Sequence, residues 1–421
     1  MSDNNNLPPV QPVAMRKLLG VIAIYFLAEA LCDPEGLIYQ SVILFFDLSH
    51  WSEAQVNTIF SMMSIPLLVR PLYGILCDSL PLFGYKRKSY LAGFMLLITV
   101  GFAAIALSQT PYLVAAALFV VAIGISGGAT VASAVVAETG QKHGNATSLL
   151  NTQWFWFNLG VLVVALAGGW LARSISPMSA YRVAAVIAAV GPLLVILAVW
   201  WLLDEPRTGR IDLNGLKQSL KQLLAVLKSG AIWGTIGFIV LYNISPLMKL
   251  PLIYDATDHL GFSQEFVGIL LAVGGLGAIA GSFVLSRLAA RLSLKQMLYL
   301  GVVLTVLSRL SYLFLGGSDT ALVLWFINGV SGIIVLIPCL SLAAMRCPKG
   351  QEAFAYGTMT CFFTLSRNVG SWFGGWLYGG GLYEPVFAGN LTALILVSAA
   401  LGLLALPFIS RLNLGDTPAE K

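Results

Sequence analysis

Charge is scarce in this chain. Asp, Glu, Lys and Arg make up 10% of its 421 residues, where a soluble domain carries about a quarter, and a soluble globule is excluded on that ground. Histidine is scarcer still: His50, His143 and His259 stand isolated between apolar runs. With no H-E-x-x-H and no Ser or Cys nucleophile motif, the chain is not expected to be an enzyme, and neither a metal nor a cofactor is expected. Cysteine occurs five times, at 32, 77, 339, 347 and 361. The number is odd and no pair has metal-ligand spacing, so these read as packing residues. Alternation of apolar and polar residues is missing too, which excludes a membrane β-barrel. The net charge of +5 would suggest nucleic acid in a soluble protein. Here it reflects cations that hold loops on one side of a membrane, and no nucleic-acid partner is expected.

Apolar sequence is what fills the chain: 58% of residues are hydrophobic and the mean hydropathy is +0.84. Runs of roughly 20 apolar residues, enough to cross a bilayer, recur from end to end. The fold class is therefore an all-α polytopic membrane protein. Twelve transmembrane helices are expected near 18–46, 54–78, 89–108, 111–137, 146–173, 179–203, 231–255, 264–286, 294–315, 320–345, 352–378 and 386–411. Residues 1–17 and 412–421 form short polar tails; the first carries no signal-peptide cleavage pattern. With both termini cytoplasmic, 18 of the 24 Lys and Arg lie in cytoplasmic segments and two, Arg173 and Arg182, lie outside. The other four, Arg70, Lys249, Arg309 and Arg367, fall within spans. That imbalance sets the orientation in a plasma (inner) membrane. The longest loop, 204–230, has leucines at helical spacing with Lys217, Lys221 and Lys228 between them, the pattern of an amphipathic helix on the cytoplasmic surface.

That linker divides the chain into six-helix halves, 18–203 and 231–411, and short internal matches support a duplication. WSEAQV at 51–56 pairs with FSQEFV at 262–267, and GGWL at 168–171 recurs at 374–377. Two pseudo-symmetric six-helix bundles joined by a cytoplasmic loop resemble the major facilitator fold, in which the substrate site lies between halves that rock around it. The glycine-rich GGLGAIAG at 274–281 has no strand before it and reads as close helix packing, not as a dinucleotide loop.

The stretch VRPLYGILCDSLPLFGYKRKSY, residues 69–90, carries the most specific signal. Its Gly74, Asp78, Gly84, Lys86, Arg87 and Lys88 resemble the G-x-x-x-D-x-x-G-R-R-x-R gating loop of facilitator proteins, with two extra residues before Gly84. Asp78 at a helix end can pair with a cation or cap a neighbouring helix, Gly84 permits a tight turn, and the basic trio is expected to anchor on the anionic leaflet at ~1 kcal/mol per charge. The whole of Arg70–Tyr90, with Pro246, Tyr254 and LGFSQEFVG at 260–268, is similar to the signature of the folate–biopterin transporter family. The resemblance implies a proton-coupled symporter for folate- or pterin-like organic anions. The fold alone fits a drug-efflux, sugar or organic-acid carrier equally well.

Ionisable residues inside spans are functional candidates, because a charge at the bilayer centre costs ~2.5–3.5 kcal/mol on insertion scales. Glu29, Asp33 and Glu35 crowd the first span beside Pro34 and Gly36, which suits proton coupling. Arg70, Lys249 and Arg367 beside Asn368 are candidates for substrate binding, Arg367 above all for a carboxylate. In the fifth span Gln153, Trp154, Phe157 and Asn158, and in the seventh Tyr242 and Asn243, offer rings and amides to a flat heterocycle. The alternative for each ring is ordinary packing, and for Arg309 a pairing with a neighbouring helix. The partners expected are a small-molecule substrate, protons and the bilayer, with the chain acting as a monomer.

Overall fold

The computed structural model describes residues 12–33, 36–51, 56, 59–60, 62–174, 176–207, 221, 224, 228–243, 251–252, 255, 259–379, 386–387 and 389–412. Among these residues there is no strand, only an isolated bridge between Leu82 and Tyr85. Glu35, Lys249, most of the expected amphipathic stretch and both chain ends lie outside the described residues.

The helices are α1 (Pro12–Cys32), α2 (Tyr39–Leu48), α3 (Ile65–Leu68), α4 (Arg70–Ser79), α5 (Lys88–Leu107), α6 (Pro111–His143), α7 (Ala146–Ser174), α8 (Pro177–Leu202), α9 (Gly230–Asn243), α10 (Gln264–Ala289), α11 (Leu294–Ser311), α12 (Ser318–Met345), α13 (Glu352–Gly379), α14 (Leu391–Gly402) and α15 (Leu406–Arg411). Seven stretches among the described residues are long and apolar enough to cross a membrane. The further helices α1, α7 and α13 run 21, 29 and 28 residues; at 1.5 Å per residue each also exceeds a hydrocarbon core of ~30 Å.

Helix ends follow local chemistry. α6 begins with Pro111, whose missing N–H is no loss in the first turn, and ends at Gly144, whose N–H donates back to the Gly140 carbonyl. Ser293 and Gln296 form a reciprocal capping box at the start of α11. The expected first span, 18–46, is two helices: α1 stops at Cys32 and α2 starts at Tyr39. The second expected span is interrupted as well. α3 and α4 each open with a proline in the first turn, Pro66 and Pro71, which cannot donate to the preceding turn.

α5 packs on α6 and α8, and α1 packs on α7 and α8; later in the chain α10 and α11 both pack on α12, and α11 on α14. The earlier helices meet the later ones most extensively at two places, α7 against α10 and α4 against α13, with smaller contacts of α6 and α7 on α12 and of α6 on α13. The GGLGAIAG segment does pack closely. A Cβ on Gly277 would meet the Phe326 carbonyl oxygen at 2.2 Å and one on Gly281 the Val330 oxygen at 2.6 Å, so α10 lies backbone to backbone on α12. Cys32, Cys77, Cys339 and Cys347 are buried free thiols and Cys361 is half-buried, consistent with packing roles.

Candidate functional site

The signature stretch builds a buried charge network at the end of the molecule where α4 meets α5. Phe83 and Gly84 turn the chain with φ of 53° and 83°, the left-handed pair that a tight two-residue hairpin turn requires. The turn brings Arg87 back under α4. Its guanidinium lies 2.7 Å from Asp78 Oδ1, 3.6 Å from Glu352 Oε2 and 3.8 Å from Glu138 Oε2, and Nη1 also donates to Cys77 Sγ at 3.3 Å. Burial works against the Arg87 charge, but Cys77, Asp78 and Glu138 outweigh it, so its pKa is raised above the ordinary arginine value.

Asp78 does a second job. Its other oxygen accepts the backbone N–H of Phe354 at 2.7 Å, in the first turn of α13, where free N–H groups favour an anion. Gly74 allows the approach: a Cβ there would stand 2.5 Å from Phe354 Cα. On the same end Gln141 of α6 donates to the Ala344 and Cys347 carbonyls at 2.6 and 2.8 Å. Farther along, Asn151 of α7 donates to the Ser282 carbonyl of α10 at 2.8 Å. Early and late helices are thus latched together at this end.

The basic trio does not face lipid headgroups as a group. Arg87 and Lys88 are buried, because Glu205 pulls the loop inward: its carboxylate accepts the backbone N–H groups of Lys86, Arg87 and Lys88 at 2.8, 3.0 and 2.8 Å. The Lys88 ammonium donates to the Leu203 carbonyl at 3.2 Å and sits over the rings of Trp200 and Tyr85.

A second centre lies at the break in the first span. Glu29 is half-buried near the end of α1, with Asp33 four residues on; the Asp33 N–H still donates to the Glu29 carbonyl. Arg70, half-buried at the start of α4, is the strongest charged neighbour of Glu29, and Glu29 of Arg70. Glu29 Oε2, Arg70 Nε and the Tyr25 hydroxyl are buried without a hydrogen-bond partner among the described residues, an arrangement that costs free energy if nothing else answers them.

The third feature is a cavity of about 410 Å³, within the size range of small-molecule sites. It gathers five of the candidate residues, Trp154, Asn158, Tyr242, Asn243 and Arg367, from α7, α9 and α13. Tyr242 donates to the Val335 carbonyl at 3.1 Å, and Asn158 and Asn243 each donate at 2.7 Å to a carbonyl one turn back. The Arg367 guanidinium lies 5.7 Å from the Phe363 ring centre. Gln153, Phe157, Asn368 and Arg70 are not part of the described lining. Residues beyond the expected set join it, among them Thr305, Arg309, Asn328 and Phe363. Arg309 also pairs with a neighbouring helix, donating to the Ser398 carbonyl at 2.9 Å and to the Ser398 hydroxyl. Its only sequence signal was a charge in mid-span.

The pattern of the BT1 family matches residues 35–416. The chain belongs to the BT1 family. Its relatives include a "Folate-biopterin transporter" of Synechocystis sp., 27% identical over 425 residues, covering 95% of this chain and 82% of that protein. "Folate transporter 2" of Plasmodium falciparum is 26% identical, covering 78% and 72%. Among solved structures, the Escherichia coli fucose:proton symporter FucP superposes with a TM-score of 0.74 at 15% identity, covering 94% of this chain and 98% of that one. The human organic anion transporter TETRAN superposes with 0.70 at 18% identity, covering 95% and 100%. At those identities the superpositions show the fold, that of the major facilitator superfamily. This BT1 protein is a multi-pass membrane transporter, not an enzyme.

Proposed function

We propose that the chain is a proton-coupled symporter of folate- and pterin-like organic anions, working by alternating access as a monomer in the plasma (inner) membrane. In this reading twelve spans form two six-helix bundles, 18–203 and 231–411, joined by the cytoplasmic linker 204–230, with tails 1–17 and 412–421 also cytoplasmic. The observation that carries it is the cavity. Arginine, amide and aromatic side chains from early helix α7 and late helices α9, α11, α12 and α13 converge there, as a site between two rocking halves requires. The names of the relatives supply the substrate class.

The remaining parts take roles around that cavity. Glu29 and Arg70 are the coupling pair: protonation of Glu29 removes the charge that attracts Arg70, and α4, which carries Arg70, also carries Asp78 of the latch. The Asp78–Arg87 network holds the cytoplasmic end shut, so that the described state is closed toward the cytoplasm. Binding and proton uptake bias the latch toward release.

The test is uptake of radiolabelled folate and of a simple pterin into proteoliposomes, with and without an inward proton gradient. Gradient-driven uptake that Glu29→Gln abolishes while exchange persists, and that Arg367→Ala weakens, is the expected result. No uptake of either compound by folded, correctly inserted protein would sink the substrate reading and direct attention to other organic anions.

A further inference from the structure

Two asparagines line the cavity from distant parts of the chain, Asn158 on α7 and Asn243 on α9. Each spends its amide nitrogen on a carbonyl one turn back, that of Trp154 or Ile239, at 2.7 Å. A backbone carbonyl can only accept, so the nitrogen must face it and the side-chain oxygen must face away. The Asn243 amide also donates to the Cys339 sulfur. No hydrogen bond reaches either side-chain oxygen among the described residues, so the cavity is offered two acceptors, one from an early helix and one from a late helix. Asn328, a third amide on the wall, is already satisfied: its oxygen takes the Ser308 hydroxyl and its nitrogen donates to the Leu324 carbonyl. Trp154 supplies the opposite polarity. Its indole N–H is buried with no partner among the described residues, although the residue lines the same cavity. An indole nitrogen can only donate, and a buried donor left unanswered is costly.

Resting on the folate–pterin reading above, we infer that Asn158, Asn243 and Trp154 set ligand specificity by reading one edge of a heterocycle: each amide oxygen takes a ligand N–H, and the indole N–H takes a ring carbonyl. The 2-amino-4-oxo edge of a pterin carries two such N–H groups beside a carbonyl, and it matches. Lumazine has a second carbonyl in place of the 2-amino group and so turns an oxygen toward an amide oxygen. 2,4-Diaminopteridine keeps the 2-amino group but has no carbonyl for Trp154. A site built to hydrogen-bond a group rejects the analogue that lacks it, because its own polar atoms are then left unpaired. A ligand held by both amides also ties α7 to α9, and with them the early helices to the late ones.

The test is binding to the purified full-length protein in nanodiscs, by titration calorimetry, of four probes: folate, pterin, lumazine and 2,4-diaminopteridine. In the wild type, pterin binds about tenfold or more tightly than either analogue, a comparison that needs no variant. Asn158→Leu and Asn243→Leu keep the bulk and lose the acceptor. Each weakens pterin by about tenfold and leaves lumazine unchanged, so the preference between the two disappears. Trp154→Phe keeps a ring and loses the N–H; it abolishes the preference for pterin over 2,4-diaminopteridine and preserves that over lumazine. Thermal midpoints equal to wild type show that the variants are folded. Equal wild-type affinity for pterin and lumazine, or a pterin–lumazine ratio that survives in both leucine variants, overturns the edge-reading assignment and leaves the folate–pterin reading intact. Binding of folate without binding of pterin does the same. No binding of folate or pterin to the wild type overturns both.

Discussion

The carboxylate of Asp78 accepts the backbone N–H of Phe354 at 2.7 Å, joining residues 276 apart in the chain. The same carboxylate is 2.7 Å from the Arg87 guanidinium, and both side chains are nearly inaccessible, at 2% and 7%. One side chain therefore closes the loop after α4 and caps the first turn of α13. Two substitutions separate these jobs. Asp78→Asn keeps an oxygen for Phe354 but abandons Arg87 among Glu138 and Glu352; Asp78→Ala loses both contacts. Removing one partner of a buried pair costs about 3–5 kcal/mol, enough to shift a closed-to-open ratio by ~100-fold or more. Cys347, 6% exposed beside this contact, is the reporter, in a background where the other four cysteines are serine. Maleimide labelling of Cys347 should be slow in the parent, fast in Asp78→Asn and faster in Asp78→Ala. Equal rates in all three would show that Asp78 does not hold this end shut.

Glu205 invites a different experiment, because its contacts are to backbone. Three successive N–H groups at the start of α5 converge on one carboxylate, in the position where a helix favours negative charge. Glu205→Gln retains one acceptor oxygen and loses the charge, which should cost about 1–2 kcal/mol; Glu205→Ala should cost more. The thermal midpoint of the detergent-purified protein should fall in the order wild type, Gln, Ala. The Lys88 side chain should also loosen, so Trp200 fluorescence should change in Glu205→Ala. An unchanged midpoint in Glu205→Ala would mean that water replaces the carboxylate without cost.

Arg87 has a pKa raised above the ordinary arginine value. A cation with a raised folded-state pKa contributes stability that is fully present below its unfolded pKa and is lost only as pH climbs through the folded one. For arginine both lie above the range in which proteins are handled. The difference in thermal midpoint between wild type and Arg87→Gln should accordingly stay constant from about pH 7 to pH 9. A difference that shrinks toward the alkaline end would show that the stabilising charge belongs to another group.

Much of this architecture is legible in residue order, and the reasons are specific. A charge in grease is conspicuous, so Arg70, Glu29 and Arg367 stand out before any fold is known. The spacing of Trp154 and Asn158, one helical turn apart, puts both on one face of α7, and both reach the cavity. Gln153 and Phe157 share a neighbouring face, about 100° away, and Gln153 is buried elsewhere. Periodicity identifies a face; it does not say which neighbour the face meets. Thr305, Asn328 and Phe363 were missed for that reason, since each sits in an apolar run and gains its role from the packing of α11, α12 and α13. The direction of the basic trio was hidden for another reason. Nothing local to Lys86–Lys88 announces Glu205, which lies more than 100 residues away and turns the loop inward.

Gly329 supports the last prediction. A Cβ on it would stand 2.1 Å from the Gly274 carbonyl oxygen and 3.0 Å from the Ala278 nitrogen, and both are backbone atoms that cannot rotate away. Between membrane helices there is little hydrophobic gain to be had from association, so close backbone approach and the van der Waals contact it permits carry much of the stability. Gly329→Ala should therefore push α12 off α10 and destabilise the protein by about 1–3 kcal/mol, the usual cost of overpacking. Gly332, one turn along the same helix, has open space around its Cβ position, and Gly332→Ala serves as the matched control. Size-exclusion profiles and thermal midpoints of the two variants should differ, with Gly332→Ala close to wild type. Because Gly329 and Gly332 both line the cavity, the pair also separates steric crowding of the ligand from separation of the helices: Gly332→Ala should weaken folate binding without lowering the midpoint, whereas Gly329→Ala should do both.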